Sequence, residues 1–184
     1  MEEKLRQLGR DHLDVVNLRI LGDGPIAERF GALADLRTKG LIRHLGLSNI
    51  RPHHLAEAQE IAPVVCVQNP FGLGAASADQ DELLRLCGEQ GIAFVPFYAI
   101  AGAGRERGAG GAEPEALRAL AEERGVSTAQ LRIVWTLHQG PHVLAIPGTG
   151  DPVHLEANVA AAGLRLSPGE LSVLNAAHRG DVAR

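Results

Sequence analysis

Short apolar runs alternate along the chain with longer segments in which apolar residues recur at helical spacing. Val, Ile and Leu fill the runs almost continuously, which is typical of parallel strands buried on both faces. The runs predicted as strands are Leu13–Leu18, Leu41–Leu47, Val64–Val67, Ile92–Phe97 and His142–Ile146. The alternation therefore predicts an α/β fold of about five parallel strand–helix units, with further helices towards the C-terminus.

The segments between and after these runs predict helices with recognisable ends. Gly40 is a predicted C-cap, and Ser127 and Ser167 are predicted N-caps. The predicted helices are Ala27–Lys39, Pro52–Ile61, Asp79–Glu89, Pro114–Arg124, a helix from Ser127 to about His138, Pro152–Ala162 and Pro168–Ala177. No linker or low-complexity segment interrupts them, so we predict a single domain over residues 1–184.

Two architectures share this alternation, an open doubly wound sheet and a (β/α)8 barrel. Five strands favour the open sheet, because a barrel of this kind closes with eight. The segment Leu21-Gly22-Asp23-Gly24-Pro25 follows the first run, but it lacks the G-x-G-x-x-G spacing of a dinucleotide-binding fold. The pattern alone leaves both architectures open.

Composition excludes several classes of partner. The net charge is −4, so no basic field favours nucleic acid or an anionic membrane. No apolar run approaches the roughly 20 residues of a membrane span, and the N-terminus does not resemble a secretory signal. Cys66 and Cys87 lie in apolar segments, which favours buried free thiols over a disulfide. We therefore expect a soluble, cytoplasmic protein.

Polar and aromatic residues follow the apolar runs, where ligands of parallel α/β folds bind. They are Arg19, Ser48, Asn49, Gln68, Asn69, Phe97, Tyr98 and the segment 147–150. Ser, Asn and Gln suit a carboxamide, an aromatic ring can stack on a flat heterocycle, and a Gly-rich loop or helix N-terminus can hold phosphates. One interpretation is a nicotinamide dinucleotide site, and the other is that polar residues simply end the strands.

Several segments resemble one known family in order and spacing. The run Leu-Ile-Arg-His-Leu-Gly-Leu-Ser-Asn at 41–49 is similar to a segment of the aldo/keto reductases. Further matching segments are Leu8–Asp14, Val65–Asn69, Gly91–Phe97, Ala145–Thr149 and the later Asn158. The resemblance covers about residues 3 to 178 and implies a partial TIM (β/α)8 barrel, about strands four to eight. It also implies NADPH-dependent reduction of a small-molecule aldehyde or ketone to an alcohol.

The resemblance assigns the nicotinamide end of a cofactor site. Ser48, Asn49 and Gln68 match residues that hydrogen-bond the carboxamide, and Phe97 matches an aromatic residue, usually Tyr, that stacks under the ring. Arg19 falls where most members have a His that orients the substrate carbonyl. Arg19 either donates hydrogen bonds to a carbonyl oxygen or is a structural charge paired with Asp23, and both readings stay open.

The phosphate end is assigned in the same way. The loop from Ala99 matches one that closes over the pyrophosphate, where Arg105 or Arg107 can supply a cation. The residues that match the 2′-phosphate and adenine positions are Gly148, Thr149, His154 and Asn158. Gly148 and His154 replace a Lys and an Arg of the family, so NADH stays possible beside NADPH.

The catalytic Asp, Tyr and Lys of the family find no match. The chain has one tyrosine, Tyr98, and its lysines are Lys4 and Lys39. The resemblance therefore implies a chain that carries the cofactor-binding part and is inactive by itself, with open sheet edges that lower its stability. The alternatives are a reductase whose N-terminal part lies outside this sequence, a gene fragment or non-catalytic nucleotide-binding module, and an unrelated α/β domain.

Other motifs predict no further chemistry. His53 and His54 are adjacent, so on a helix they point about 100° apart and make a poor chelate. Ser48 has no evident His and Asp partners, which argues against a hydrolase triad. The sequence therefore predicts no metal site.

Overall fold

The protein is built from parallel strands that alternate with helices. A computed structural model describes residues 2–100 and 113–180. The elements of the first half are α1 Glu2–Leu8, β1 Leu13–Arg19, α2 Ala27–Thr38, β2 Ile42–Ser48, α3 Pro52–Gln59, β3 Val64–Gln68, α4 Ala78–Gln90 and β4 Ala93–Phe94. They are followed by α5 Glu115–Arg124, α6 Thr128–Leu137, α7 Pro152–Ala160, a 3-10 turn at Ala161–Gly163 and α8 Pro168–Arg179.

Packing divides the chain into two units. The first comprises Met1–Asn69 and Glu82–Phe94, and the second comprises Pro70–Asp81 and Val95–Arg184. The prediction of a single domain stays a prediction.

A four-stranded sheet forms the centre of the first unit. Its strands lie in the order β1-β2-β3-β4, and every neighbouring pair is parallel. Side chains of the sheet and of α2 and α3 are fully or almost fully buried, among them Phe30, Leu45, Leu47, Leu55 and Phe94. Burial on both faces, which the apolar runs predict, is found along β3 and along β2 except at Arg43 and His44. It is not found along β1, where no residue is buried and Val15 is 48% exposed.

The core of the second unit is aromatic and helical. Trp135 on α6 is fully buried, and its ring stacks on that of Phe71 with centroids 5.6 Å apart. The Trp135 indole N–H donates to Asn175 Oδ1 on α8 at 2.8 Å, so the buried polar edge of the ring has a partner.

Helix ends agree closely with the predicted caps. Gly40 follows α2 with φ +76°, the left-handed conformation that favours glycine after a helix. Ser127 accepts from the backbone N–H of Gln130, and Ser167 accepts from that of Glu170, so both N-cap predictions are confirmed.

Two strand predictions are wrong in extent. The run Ile92–Phe97 pairs as a strand only at Ala93–Phe94, because Pro96 has no N–H to donate to a ladder. Beyond Pro96, Phe97 forms a single isolated parallel bridge to Pro70. The run His142–Ile146 is not a strand in the described part of the chain, since only Val143 has bridge-type pairing there and an extended segment needs a paired neighbour.

Both cysteines are buried and free, as predicted. Burial raises the pKa of the Cys66 thiol and raises that of Cys87 to about 12, so both stay protonated at neutral pH. Within the described ranges, no helix combines the length and the apolar character that crossing a membrane requires. The cytoplasmic location stays a prediction.

Candidate functional site

Three predicted site residues lie side by side at the carboxyl ends of β1, β2 and β3. The parallel register pairs Arg19 with Ser48, and Ser48 with Gln68. Arg19 is exposed, Gln68 is half-buried and Ser48 is 6% exposed. The sequence predicted these side chains at strand ends, and the sheet brings them into one row.

Asn49 continues this row in an unusual backbone conformation. Its φ is +57°, a left-handed value that asparagine tolerates better than most residues. The Asn49 backbone N–H donates to the Gln68 carbonyl at 3.0 Å, and its Nδ2 donates to the Ile20 carbonyl at 2.7 Å. The first bond fixes the Asn49 backbone and the second fixes its side-chain amide.

Asn69, which the sequence placed among the polar residues that follow the strands, is a buried support for the same turn. It is fully buried, its Oδ1 accepts from the Ile50 N–H at 3.0 Å, and its Nδ2 donates to the Ile50 carbonyl at 2.7 Å. Both hydrogen bonds satisfy buried polar atoms, so they fix the backbone directly after Ser48 and Asn49.

A second row of residues lies on the same strands, two residues before the first row along each strand. Asn17 is in register with Gly46, and Gly46 is in register with Cys66. The Cys66 thiol donates to Asn17 Oδ1 at 3.1 Å, and Asn17 Nδ2 donates to Gln68 Oε1 at 3.2 Å. Sequence reasoning missed Asn17, because the residues in contact are about 50 positions apart and only the strand register brings them together.

The polar groups at the strand ends complement a primary amide. Among the described residues, Asn49 Nδ2 donates to the Ile20 carbonyl, which leaves Asn49 Oδ1 as an acceptor. Gln68 Oε1 accepts from Asn17 Nδ2, which leaves Gln68 Nε2 as a donor. A carboxamide offers one N–H2 donor and one carbonyl acceptor. Asn49 and Gln68 therefore keep one acceptor and one donor, the two polarities that a carboxamide requires.

Asp23, the partner considered for a structural Arg19, makes ion pairs with other residues. Asp23 Oδ2 lies 3.1 Å from the Arg51 guanidinium, and Asp23 Oδ1 lies 3.4 Å from His53 Nε2. Within the described residues no Arg19–Asp23 ion pair is present, and both readings of Arg19 stay predictions. Arg19 is exposed at the carboxyl end of β1, in register with Ser48.

Phe97 belongs to the second unit. The Phe97 carbonyl accepts from the Phe71 N–H at 3.1 Å, which holds this residue beside Pro70. Its half-buried ring meets the edge of Tyr98, with centroids 4.7 Å apart and ring planes at 78°. One aromatic ring with an accessible surface is therefore fixed at this position.

The residues predicted for the phosphate end lie at the start of α7 in the second unit. Asp151 is the N-cap, with Oδ1 accepting from Val153 N–H at 2.8 Å, and Thr149 Oγ1 accepts from the Asp151 N–H at 3.1 Å. Gly148 is exposed, and a Cβ atom added there meets no atom within 4 Å. His154 is also exposed, with Nδ1 3.9 Å from Asp151 Oδ2.

Asn158 and Arg105 are the other residues predicted for the phosphate and adenine end. Asn158 on α7 is 8% exposed, so little of its side chain is accessible. Arg105, together with Arg107, lies outside the described residues.

One cluster in the described residues has donors suited to a metal, formed by Asp23, His53 and His54. His54 Nδ1 accepts from the Arg51 N–H at 3.1 Å, which uses the only lone pair of a neutral imidazole and leaves Nε2 protonated. Arg51 also pairs with Asp23 and places a positive charge beside the cluster. These contacts disfavour a cation here, and the prediction of no metal site stays untested.

Comparison with known proteins gives one consistent result. Residues 1–179 match the aldo/keto reductase family. The chain is 39% identical to pyridoxine 4-dehydrogenase of Escherichia coli, across 97% of this chain and 62% of that protein. It is 30% identical to a probable aldo-keto reductase of Glycine max, across 99% of this chain and 60% of that one.

A solved structure gives the same answer for the fold. An aldo/keto reductase from Klebsiella pneumoniae, crystallised with NADP and acetate, superposes with a TM-score of 0.81 at 29% identity. The alignment covers 96% of this chain and 62% of that one. The fold prediction, a partial (β/α)8 barrel, is confirmed, and the chain spans about 60% of the length of these relatives.

Proposed function

Because this chain belongs to the aldo/keto reductase family, we propose that it binds the nicotinamide carboxamide of NADPH through Ser48, Asn49 and Gln68. The observation that carries the proposal is the row of strand ends that places Ser48 beside Gln68. Asn49 presents an acceptor and Gln68 a donor, the complement of the carboxamide group.

The reaction proposed for the whole protein is reduction of a small aldehyde or ketone to an alcohol. Bound NADPH supplies the hydride. Arg19 supplies hydrogen-bond donors for the carbonyl oxygen of the substrate, in a position where most members of the family use a His. Arg19 is exposed and its backbone is in register with Ser48, which supports this role.

The cofactors bound by related structures support NADPH, and the activity of one relative suggests a first substrate to assay. The Klebsiella pneumoniae relative was crystallised both with NADP and acetate and with NADPH. The Escherichia coli relative is a pyridoxine 4-dehydrogenase, so pyridoxine in the oxidative direction is a substrate to assay beside generic aldehydes.

We expect these 184 residues alone to bind the cofactor without turning over substrate. Reduction of a carbonyl needs a proton donor, and the family uses a Tyr assisted by a Lys and an Asp. The single tyrosine, Tyr98, follows the residue that matches the ring-stacking aromatic, so it does not match the acid. The alternative function is a non-catalytic module that binds nicotinamide dinucleotides.

Fluorescence titration with NADPH tests the proposal. Saturable binding is expected, and Gln68→Leu should weaken it about tenfold, since it removes the donor to the carboxamide and leaves a polar ligand group unpaired. Gln59→Leu, at an exposed position on α3, is the matched control and should bind as wild type does. Absence of saturable binding by the wild-type protein would refute both nucleotide-binding readings.

An aldehyde assay on the same preparation separates enzyme from binding module. Binding with no turnover by the 184 residues, and turnover by a protein that also carries the acid, would identify a reductase. Turnover by the 184 residues alone would contradict the expectation that their proton donor lies elsewhere.

A further inference from the structure

We propose that Asn17 is a positioning residue that fixes the polarity of Gln68, so that Gln68 presents its N–H2 group to the carboxamide of the cofactor. This inference rests on the proposed function and adds to it a relay of hydrogen bonds within the sheet. The relay runs from Cys66 to Asn17 and from Asn17 to Gln68.

The direction of the relay follows from the chemistry of its first group. A protonated thiol has one proton to donate, and Cys66 is buried among apolar strands that raise its pKa and keep it neutral. Its thiol donates to Asn17 Oδ1 at 3.1 Å. Asn17 therefore turns its N–H2 group away from Cys66 and towards Gln68.

The second hydrogen bond transmits this orientation to the strand ends. Asn17 Nδ2 donates to Gln68 Oε1 at 3.2 Å, so the oxygen of the Gln68 amide is directed at Asn17. This is the one hydrogen bond of the Gln68 side chain among the described residues, so its Nε2 stays available to donate. An amide of the opposite polarity would meet the carbonyl of a carboxamide oxygen to oxygen.

Gly46 makes the relay sterically possible. It lies on β2, between Asn17 on β1 and Cys66 on β3, in the same register row. A Cβ atom at this position would lie 2.1 Å from Asn17 Oδ1 and 2.5 Å from Cys66 Sγ. Only a residue without a side chain at this position of β2 lets side chains of β1 and β3 meet.

The decisive experiment measures binding of two probes to four forms of the protein. The probes are NADPH and 2′-phospho-ADP-ribose, which shares the adenine, ribose and phosphates but has no carboxamide. The forms are wild type, Asn17→Leu, Gln68→Leu and the double variant. Asn17→Leu keeps the side-chain size and removes both hydrogen bonds.

Asn17→Leu is expected to weaken NADPH binding about fivefold, because Gln68 is then free to turn its oxygen outward. Affinity for 2′-phospho-ADP-ribose should stay within about twofold of wild type. In the Gln68→Leu background the same substitution should add less than about twofold, since the group it orients is gone.

Several outcomes would overturn the inference while the proposed function stands. They are unchanged NADPH affinity in Asn17→Leu, equal weakening for both probes, or a full effect in the absence of Gln68. Wild-type protein that binds neither probe would instead refute the proposed function, and this inference with it.

If Asn17→Leu does not fold, a second pair of variants tests the relay by changing its first donor, Cys66. Cys66→Ser keeps a proton donor to Asn17, whereas Cys66→Ala removes it. The Ser variant should retain wild-type affinity for NADPH, and the Ala variant should lose affinity for NADPH but not for 2′-phospho-ADP-ribose. Equal NADPH affinity in the Ser and Ala variants would count against the relay.

Discussion

Gly46 is the residue on which the packing between β1 and β3 depends. An added Cβ would lie well inside contact distance of Asn17 Oδ1 and Cys66 Sγ, and the Cys66 carbonyl oxygen would be 3.0 Å away. Backbone at that distance cannot rotate aside as a flexible side chain does. A substitution here must therefore strain the sheet itself.

Gly46→Ala should lower the free energy of unfolding by about 1–3 kcal/mol, the usual cost of overpacking a core. Denaturant titration measures the change, and Gly148→Ala is the control because its added Cβ meets no atom. Adding Asn17→Ala to Gly46→Ala should recover part of the loss, since it removes the nearest atom. Equal midpoints for the two glycine variants would contradict the overlap.

Gly148 offers the opposite case, an exposed glycine with open space around it. Gly148→Lys restores the cation that the family resemblance places near the 2′-phosphate, so we expect NADPH affinity to rise about three- to tenfold while NADH affinity changes little. Competitive titration with the two cofactors measures the ratio. Gly163→Lys, also in open space, carries the same added charge. An equal gain in that control would show a general charge effect.

Residues at strand ends were predictable, whereas their supports were not. Ser48, Asn49 and Gln68 follow apolar runs directly, and that position alone makes them candidates. Asn17 acts through contacts with residues on β3, and Asn69 acts through hydrogen bonds to Ile50 in the loop after β2. Those contacts depend on strand register, which the sequence pattern does not specify.

At the scale of elements, local signals predicted the helices well and the strands less well. Helix ends are decided by short-range chemistry, such as the serine caps of α6 and α8. A strand forms only when a neighbouring strand pairs with its backbone N–H and C=O groups. An apolar run such as 142–146 is therefore not sufficient to predict a strand. Leu144 and Ile146 in that run are about half exposed, at 55% and 47%.

The cap of α8 gives a prediction at this scale. Ser167 accepts from the Glu170 N–H, and Glu170 in turn accepts from the Ser167 N–H and from Arg124. Ser167→Ala should cost about 1 kcal/mol of stability, and Ser167→Asp should retain most of it because a carboxylate also caps. Thermal denaturation distinguishes the two variants, and equal losses would show that the side-chain oxygen has no capping role.

At the scale of the whole molecule, each of the two units contains a buried histidine held neutral. Burial lowers the pKa of His54 in the first unit, and the neighbouring His53 lowers it further. Burial also lowers the pKa of His178 in the second unit, opposed by Asp81 at 3.7 Å. His178 packs against the rings of both Phe71 and Trp135.

These histidines predict stability that declines as the pH falls. A pKa lower in the folded than in the unfolded state means that the unfolded chain binds the proton more readily, so protonation below about pH 6.5 favours unfolding. Denaturant titrations between pH 7.5 and 5.5 should show the decline. His178→Phe should reduce its slope in part, with His54 accounting for a remainder, and His44→Phe at an exposed position controls for loss of an imidazole. A slope unchanged by His178→Phe would contradict this origin.

The row of Asn17, Gly46 and Cys66 also has a consequence for how related sequences vary. The side chains of Asn17 and Cys66 touch only because Gly46 has no side chain between them. The residues at these three positions should therefore change together among related sequences. Relatives with a larger residue at position 46 should have lost the amide at 17 and the hydrogen-bond donor at 66 together. Those relatives should then use another group to orient the glutamine, and that substitution pattern can be read from sequences alone.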